Sequence, residues 1–332
     1  MKIVKYTLLF FLLFVHYDLN ASESDFNSWL TEFKIVARNE GISNETINMI
    51  MNDAVYLPKV IEYDRYQPEF YEDTKTYINK RVNKNKVKKI INLYKKNKMI
   101  INNVEKIFSV EKELLLSLMG IETNFGTYLG KMDIVSSLAT LSFDKRRREF
   151  FTKELLILLK LVDEKKVNPS DLYGSWAGAY GNFQFMPRTV KDYAIDYNKD
   201  SKIELKNIED SFASAANYLN KIGWKPGQPC FYKIELDNKI PEKFLNTSAK
   251  KIKNKKKVSF FKKYIYSSNI EDINNDLIAG IITPDKDIIP DANNIAPAYI
   301  VFNNYELILK WNRSLRFALA VCTLKERFNN EL

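Results

Sequence analysis

The sequence predicts a mainly α chain (α+β in class) with a small β element near its C-terminus, and three observations predict it. Through most of the segments up to residue 222, apolar residues recur at spacings of three and four, the period of a helix buried on one face. Short β-prone runs, CFYKIEL and YIVFNNYELIL, appear from Cys230 onward. The chain has 332 residues, 45% of them hydrophobic, with 10 Gly and 10 Pro. That is enough apolar material for a large packed core and too little Gly and Pro for a low-complexity chain.

The elements follow in order. Lys2 and Lys5 precede an apolar run over residues 7–15, and the small residues Ala21 and Ser22 follow it. This is the pattern of a secretory signal over residues 1–22, since the run is shorter than the roughly 20 apolar residues a spanning helix needs. No Cys follows the run, so the expected product is a cleaved periplasmic protein and not a lipoprotein. Residues 25–110 read as helices with charged faces, broken at Pro58 and Pro68. Ser109 is the expected N-cap of an amphipathic helix carrying Val110, Leu114, Leu115, Leu118, Met119 and Ile121. A second long helix runs over about 150–162, and a glycine-rich turn occupies 174–181. A third helix, over about 210–222, puts Phe212, Ala215, Ala216, Leu219 and Ile222 on one face and ends at Gly223. Asn303-Asn304 reads as a hairpin turn, and a last helix covers about 314–328.

Composition narrows the chemistry. The single histidine, His16, lies in the segment expected to be removed. Without imidazole there is no Ser-His-Asp triad, no Cys-His pair and no histidine metal site. Carboxylates, hydroxyls, amides and backbone remain. Cys230 and Cys322 are equally compatible with a bridge and with two buried thiols. The net charge of +10 concentrates in residues 80–98 and 250–263. Export turns a basic, aromatic-rich chain away from nucleic acid and toward an anionic envelope polymer or membrane surface. A plain lysine-rich surface accounts for the charge equally well. In the first run Val87, Ile90, Ile91 and Tyr94 keep helical spacing, so it reads as a solvated helix face.

One carboxylate stands out. Glu122 ends an apolar helix and precedes Thr-Asn-Phe-Gly. Among Met119, Ile121 and Phe125 its charged form would be desolvated and its pKa raised, the state a general acid for glycosidic cleavage needs. Taken alone, a Glu at a helix end is usually just solvated. The segment 174–187, GSWAGAYGNFQFMP, adds glycines that let backbone approach a ligand, with Ser175 and Gln184 able to hydrogen-bond a sugar. Trp176 reads as core.

GIETNFG, SLATLSFDKRRREFF and GSWAGAYGNFQFMP, in this order, resemble the lytic transglycosylase B family, which cleaves bacterial peptidoglycan. The similarity extends upstream to VIEYDRYQPEF and downstream through ANYLNKIGWKPGQP to LKWNRSLRFALAV. It implies a lysozyme-like catalytic core over 109–229, an N-terminal helical region over 23–108 and a C-terminal region over 230–332. It implies Glu122 as sole acid and base, protonating the bond between N-acetylmuramic acid and N-acetylglucosamine and leaving a 1,6-anhydro end. Positions matching the family's substrate contacts are Ser175, Gln184, Tyr218 and Asn312, with Tyr180, Trp311 and Phe317 among the aromatic residues of the cleft. Two of Arg146, Arg147 and Arg148 would face the groove, taken as Arg146 and Arg147. No cofactor is implied for catalysis. The expected partners are peptidoglycan glycan strands, with peripheral membrane or wall-machinery contacts, no nucleic acid, and a monomeric state. A hydrolytic muramidase and a non-catalytic wall-binding protein are the alternatives.

Residues 196–200 read D-x-N-x-D, the opening of an EF-hand loop. Asp196, Asn198, Asp200 and the Lys202 carbonyl take the ligand positions, and Ser201 stands where glycine is expected. Closure by Asp210 resembles the family's longer calcium loop and implies a structural Ca2+.

Overall fold

The structure, a computed structural model, describes residues 23–66, 71–266, 270–286 and 295–331. The expected export signal and Pro68 lie outside the described residues. The N-terminal region is a succession of short helices: α1 (Glu23–Asn39), α2 (Asn44–Met51), α3 (Pro58–Arg65), α4 (Thr74–Arg81), α5 (Lys84–Lys96) and α6 (Lys98–Phe108). Pro58 opens α3, where its missing N–H leaves no bond unmade. Ser43, Asp73 and Asn83 cap α2, α4 and α5 by accepting backbone N–H bonds. α5 buries Val87 and Ile90 and leaves most of its lysines in water, as the spacing predicts.

The middle of the chain is α7 (Lys112–Thr123), α8 (Ile134–Phe143), α9 (Arg148–Asp163), α10 (Pro187–Tyr193) and α11 (Ile208–Lys221), with the short pair β1 (Met132–Asp133) and β2 (Tyr173–Gly174) between them. Ser109 is not the N-cap of α7. It ends α6 in the left-handed conformation, φ 52°, and its N–H bonds the Glu105 carbonyl. α7 starts at Lys112, and its residues from Glu113 to Gly120 are all buried.

A four-strand path of β3 (Phe231–Ile234), β7 (Ala298–Val301), β6 (Ile278–Ile282) and β4 (Leu245–Asn246) forms the β element, with β5 (Lys256–Lys257) on β6 and α12 (Val258–Lys262) beside it. β3 and β7 run antiparallel, Phe231 opposite Val301, and β4 joins β6 in parallel. The hairpin expected at Asn303-Asn304 does not form. β7 ends at Val301, and the following residues are α13 (Asn303–Trp311). Tyr305, Ile308 and Leu309 fit a helix as well as a strand, and tertiary bonds decide. The Asn304 amide donates to the Lys225 and Gln228 carbonyls. The last helix, α14 (Leu315–Asn329), is capped by Ser314.

One hydrophobic core runs from Phe26 to Phe328, and a second, smaller one under the sheet gathers Ile234, Phe244, Phe261 and Ile300. α14 packs on α7, α4 and α5, so the C-terminal helix closes the middle of the molecule. A disulfide between Cys230 and Cys322, 6.3 Å between Cα atoms, ties the start of β3 to α14.

Candidate active site

Glu122 stands in the last turn of α7, half-buried beside buried Thr123. The chain then turns through three successive left-handed residues, Asn124, Phe125 and Gly126, at φ 48°, 65° and 76°. Such a turn is costly for Asn124 and Phe125, and surrounding bonds hold it. The Thr123 hydroxyl lies 2.9 Å from the Asn182 carbonyl, to which it donates, and it accepts the Gly126 N–H at 3.0 Å. Asn182 is itself fixed, its amide donating to the Lys206 and Asn207 carbonyls and to the Ser211 hydroxyl. The turn bearing Glu122 is thus bolted to the glycine-rich segment.

That segment folds on itself. The Ser175 hydroxyl accepts the Ala179 N–H at 3.1 Å, and Tyr180 and Phe185 form an antiparallel bridge. Gln184, in the left-handed region at φ 49°, donates its amide to the Leu129 and Gly181 carbonyls. A Cβ on Gly130 would lie 2.0 Å from the Gly174 carbonyl oxygen, so glycine is what permits these two strands of backbone to meet.

The aromatic residues converge from the far end of the chain. The Trp311 Nε1–H, at the end of α13, donates to Glu122 Oε1 at 3.0 Å. Its ring stacks on Tyr218, centroids 5.0 Å apart and planes at 27°, and meets Phe185 edge-on at 5.3 Å. Tyr218 in turn touches Tyr193 at 4.5 Å and donates its hydroxyl to the Lys310 carbonyl. Burial, with Tyr193 adding to it, pushes the Tyr218 phenol up to about 12. Asn312 follows Trp311, half-buried. A cavity of about 400 Å³ opens beside Glu122, lined by Lys80, Asn83, Asn85, Lys86, Lys89, Ile121, Asn124 and Tyr128. Its lining holds no carboxylate besides Glu122.

Ser175, Gln184, Tyr218, Trp311 and Asn312 are therefore partly accessible, on elements tied to the Glu122 turn. Tyr180 and Phe317 do not line the cavity beside Glu122: each is 3% exposed, and Tyr180 borders a separate cavity with Asp171 and Leu205. Tyr180 points inward from the bridge, and its phenol is raised by burial. Phe317 belongs to the buried face of α14. Aromatic type and position suggested both, but the bridge to Phe185 turns Tyr180 inside and α14 is buried all round from Leu315 to Cys322. Arg146 and Arg147 are engaged on buried Asp64 of α3, with Arg146 Nε at 2.8 Å and Arg147 Nη1 at 3.1 Å. The cavity that Arg146, Arg147 and Arg148 line shares no residue with the one at Glu122. Trp176 is partly buried against the core, as expected.

The D-x-N-x-D loop is held by its own side chains. Asp196 accepts the N–H groups of Asp200 and Ser201 at 3.1 and 2.8 Å, and Asp200 accepts that of Lys202 at 2.9 Å. Ser201 occupies the left-handed conformation, φ 72°, that glycine would adopt freely. Asp210 is fully buried and accepts the N–H groups of Tyr197 and Glu204. The donors are all oxygens, which suits a hard cation. Among the described residues no three His, Cys, Asp or Glu side chains are gathered closely enough to hold a metal ion.

Known proteins share this fold and sequence. Residues 25–326 match the family described as Transglycosylase SLT domain. Over 128 residues the chain is 39% identical to membrane-bound lytic murein transglycosylase B of Escherichia coli K12, covering 38% of this chain and about a third, 36%, of that relative. SltB3 of Pseudomonas aeruginosa, solved with NAG-anhNAM-pentapeptide, superposes with a TM-score of 0.80 at 29% identity, over 92% of this chain and 79% of that one. The Escherichia coli lytic transglycosylase Slt35, solved with calcium, gives 0.75 at 25% identity, over 91% and 93%. The family match takes in nearly every described residue, and the chain belongs to the transglycosylase SLT domain family.

Proposed function

We propose that the protein is a peptidoglycan lytic transglycosylase, a carbon–oxygen lyase that cleaves the β-1,4 bond between N-acetylmuramic acid and N-acetylglucosamine and leaves 1,6-anhydro ends. The observation that carries this is a single carboxylate, Glu122, oriented by the Trp311 N–H beside a cavity lined by no other carboxylate. Protonated, Glu122 gives its proton to the bridging oxygen as the bond breaks. Ionised, it takes the proton of the muramoyl C6 hydroxyl, whose oxygen closes on C1 in place of water. The substrate's acetamido group stabilises the cationic centre, so no second enzyme carboxylate is needed. SltB3 was solved with NAG-anhNAM-pentapeptide and with NAG-NAM-pentapeptide, which supports a glycan strand as the ligand here. Ser175, Gln184, Tyr218 and Asn312 are the residues proposed to contact it, and Arg146 and Arg147 would do so only after leaving Asp64.

The test is digestion of cell-wall sacculi with the products weighed. Wild type releases muropeptides lighter by one water than those of a hydrolase, and Glu122→Gln loses at least about 10²–10⁴-fold in turnover while still binding sacculi. Products of hydrolytic mass, or a variant keeping a tenth of the rate, would refute the reading. We place the enzyme in the periplasm after removal of residues 1–22, as a monomer acting on glycan strands. We place one structural Ca2+ at Asp196, Asn198, Asp200 and the Lys202 carbonyl, with Asp210 closing the loop, a site that forms only when these carboxylates draw closer than they stand here. Slt35, solved in complex with calcium, supports it.

A further inference from the structure

We propose that Lys86 is a positioning residue for Glu122: its ammonium clamps the C-terminal turn of α7 from the neighbouring helix α5 and holds the catalytic carboxylate in place. The inference rests on the reading of Glu122 as acid and base.

Lys86 lies in the first turn of α5, its N–H bonded to the capping side chain of Asn83. Its Nζ donates to the Gly120 carbonyl at 2.5 Å, two residues before Glu122. Gly120 is among the last residues of α7, whose terminal carbonyls lack the usual partner one turn on. The N–H groups of Asn124 and Phe125 both reach back to the Met119 carbonyl instead. A cation at this end also meets the negative pole of the helix dipole. No side chain can intrude at Gly120, since a Cβ there would lie 2.7 Å from the Phe125 ring. Lys86 and Glu122 line the same cavity.

The rest of its surroundings disfavour the charge. Lys86 is half-buried, and burial, followed by Arg81 and Lys89, brings the ammonium down to about 8. Lys80 stands in the same cavity, as does the Tyr128 phenol, and from α14 Arg327 donates to the Val82 carbonyl nearby. Glu122 is the one carboxylate in that lining. A methionine would fill the same space without desolvating a charge. The charge therefore burdens the fold, and what it gains lies at the last turn of α7.

A pH signature follows. Above pH about 8 Lys86 loses its proton, the clamp weakens, and Glu122 loses a neighbouring cation. The unfolded chain, with an ordinary lysine pKa near 10.4, binds the proton more tightly than the folded one. Stability from this group therefore rises with pH between the two values, even as turnover falls. A purely structural lysine would not separate the two.

The experiment measures kcat and KM on sacculi from about pH 6 to 10 for wild type, Lys86→Met and Lys86→Arg, with melting temperatures and amide exchange of residues 119–128. The expected wild-type kcat falls up to about tenfold per pH unit above about 8, as one deprotonation requires. Lys86→Met melts at pH 7 no lower than wild type, loses about tenfold or more in kcat with KM little changed, and exchanges faster at 119–128. Lys86→Arg keeps the cation, restores most of that turnover and carries the alkaline fall to higher pH. Wild-type kcat in Lys86→Met, or an unmoved alkaline limb in Lys86→Arg, overturns the proposal. If wild type releases no anhydro product, the reading of Glu122 fails separately. Exchange at 119–128 then still decides the clamp, faster exchange in Lys86→Met upholding it and unchanged exchange refuting it.

Discussion

Glu122 and Trp311 are 189 positions apart, and the bond between them organises the site. The indole N–H holds one carboxylate oxygen, and the indole is itself fixed between Tyr218 and Phe185. Trp311→Phe keeps a ring to stack and removes only the donor. A hydrogen bond to a charged group contributes about 1.5–3 kcal/mol. Where that bond acts mainly on the carboxylate's orientation, we expect kcat to fall about 10- to 100-fold with the melting temperature nearly unchanged. Parallel loss of turnover and stability would show that the tryptophan acts as packing alone. Phe317, in the first turn of α14, carries no such bond and is buried.

Among the elements, the loop between α10 and α11 offers the cleanest test. Ser201 pays for its φ of 72° with backbone strain, and in Ser201→Gly that strain is gone. We expect the glycine variant to bind calcium more tightly and to melt higher, by about 1 kcal/mol when calcium is present. A ligand that binds the folded state alone at a hundredfold excess over its Kd adds about 2.7 kcal/mol, so wild type should also melt higher with calcium than with chelator. A melting temperature indifferent to millimolar calcium in both proteins would remove the metal from this loop. Turnover by Glu122, as proposed, uses no metal and is expected to remain.

Across the whole molecule, long-range polar bonds hold the helical regions against one another. Arg316, 2% exposed, pairs with Asp285, which also accepts the N–H and hydroxyl of Thr74 at the start of α4. Glu111, just before α7, accepts from the Trp224 indole at 2.5 Å, the Gly227 N–H at 3.1 Å and the Lys325 ammonium at 2.9 Å. Burial opposes the ionised form of Glu111, but Lys325 and Trp224 outweigh it and hold the carboxyl below its ordinary value. A lowered folded pKa contributes stability above the unfolded value, near 4.3, that is lost as pH falls through the folded one. Glu111→Gln should therefore be less stable by about 1–3 kcal/mol at pH 7, and the gap should close below about pH 4. A gap constant from pH 7 to 3 would mean that the charge contributes nothing.

Period and composition were enough to place α9, α11 and α14 to within two or three residues, because each carries apolar residues at helical spacing and is bounded by local signals such as Ser314 and Gly223. The motifs around Glu122 and 174–187 marked the site through the resemblance they carry, while the packing of their glycines is long-range: Gly130 meets Gly174, Gly178 meets Leu138 and Gly181 meets Leu205. Local pattern could not separate strand from helix at 303–311, where Asn304 is committed to carbonyls almost 80 residues away. Nor could it turn Tyr180 and Phe317 inward, pair Cys230 with Cys322, or set Lys86 against Gly120. Those outcomes depend on which surfaces meet when the helices pack, and that information is shared between distant segments and absent from each of them alone.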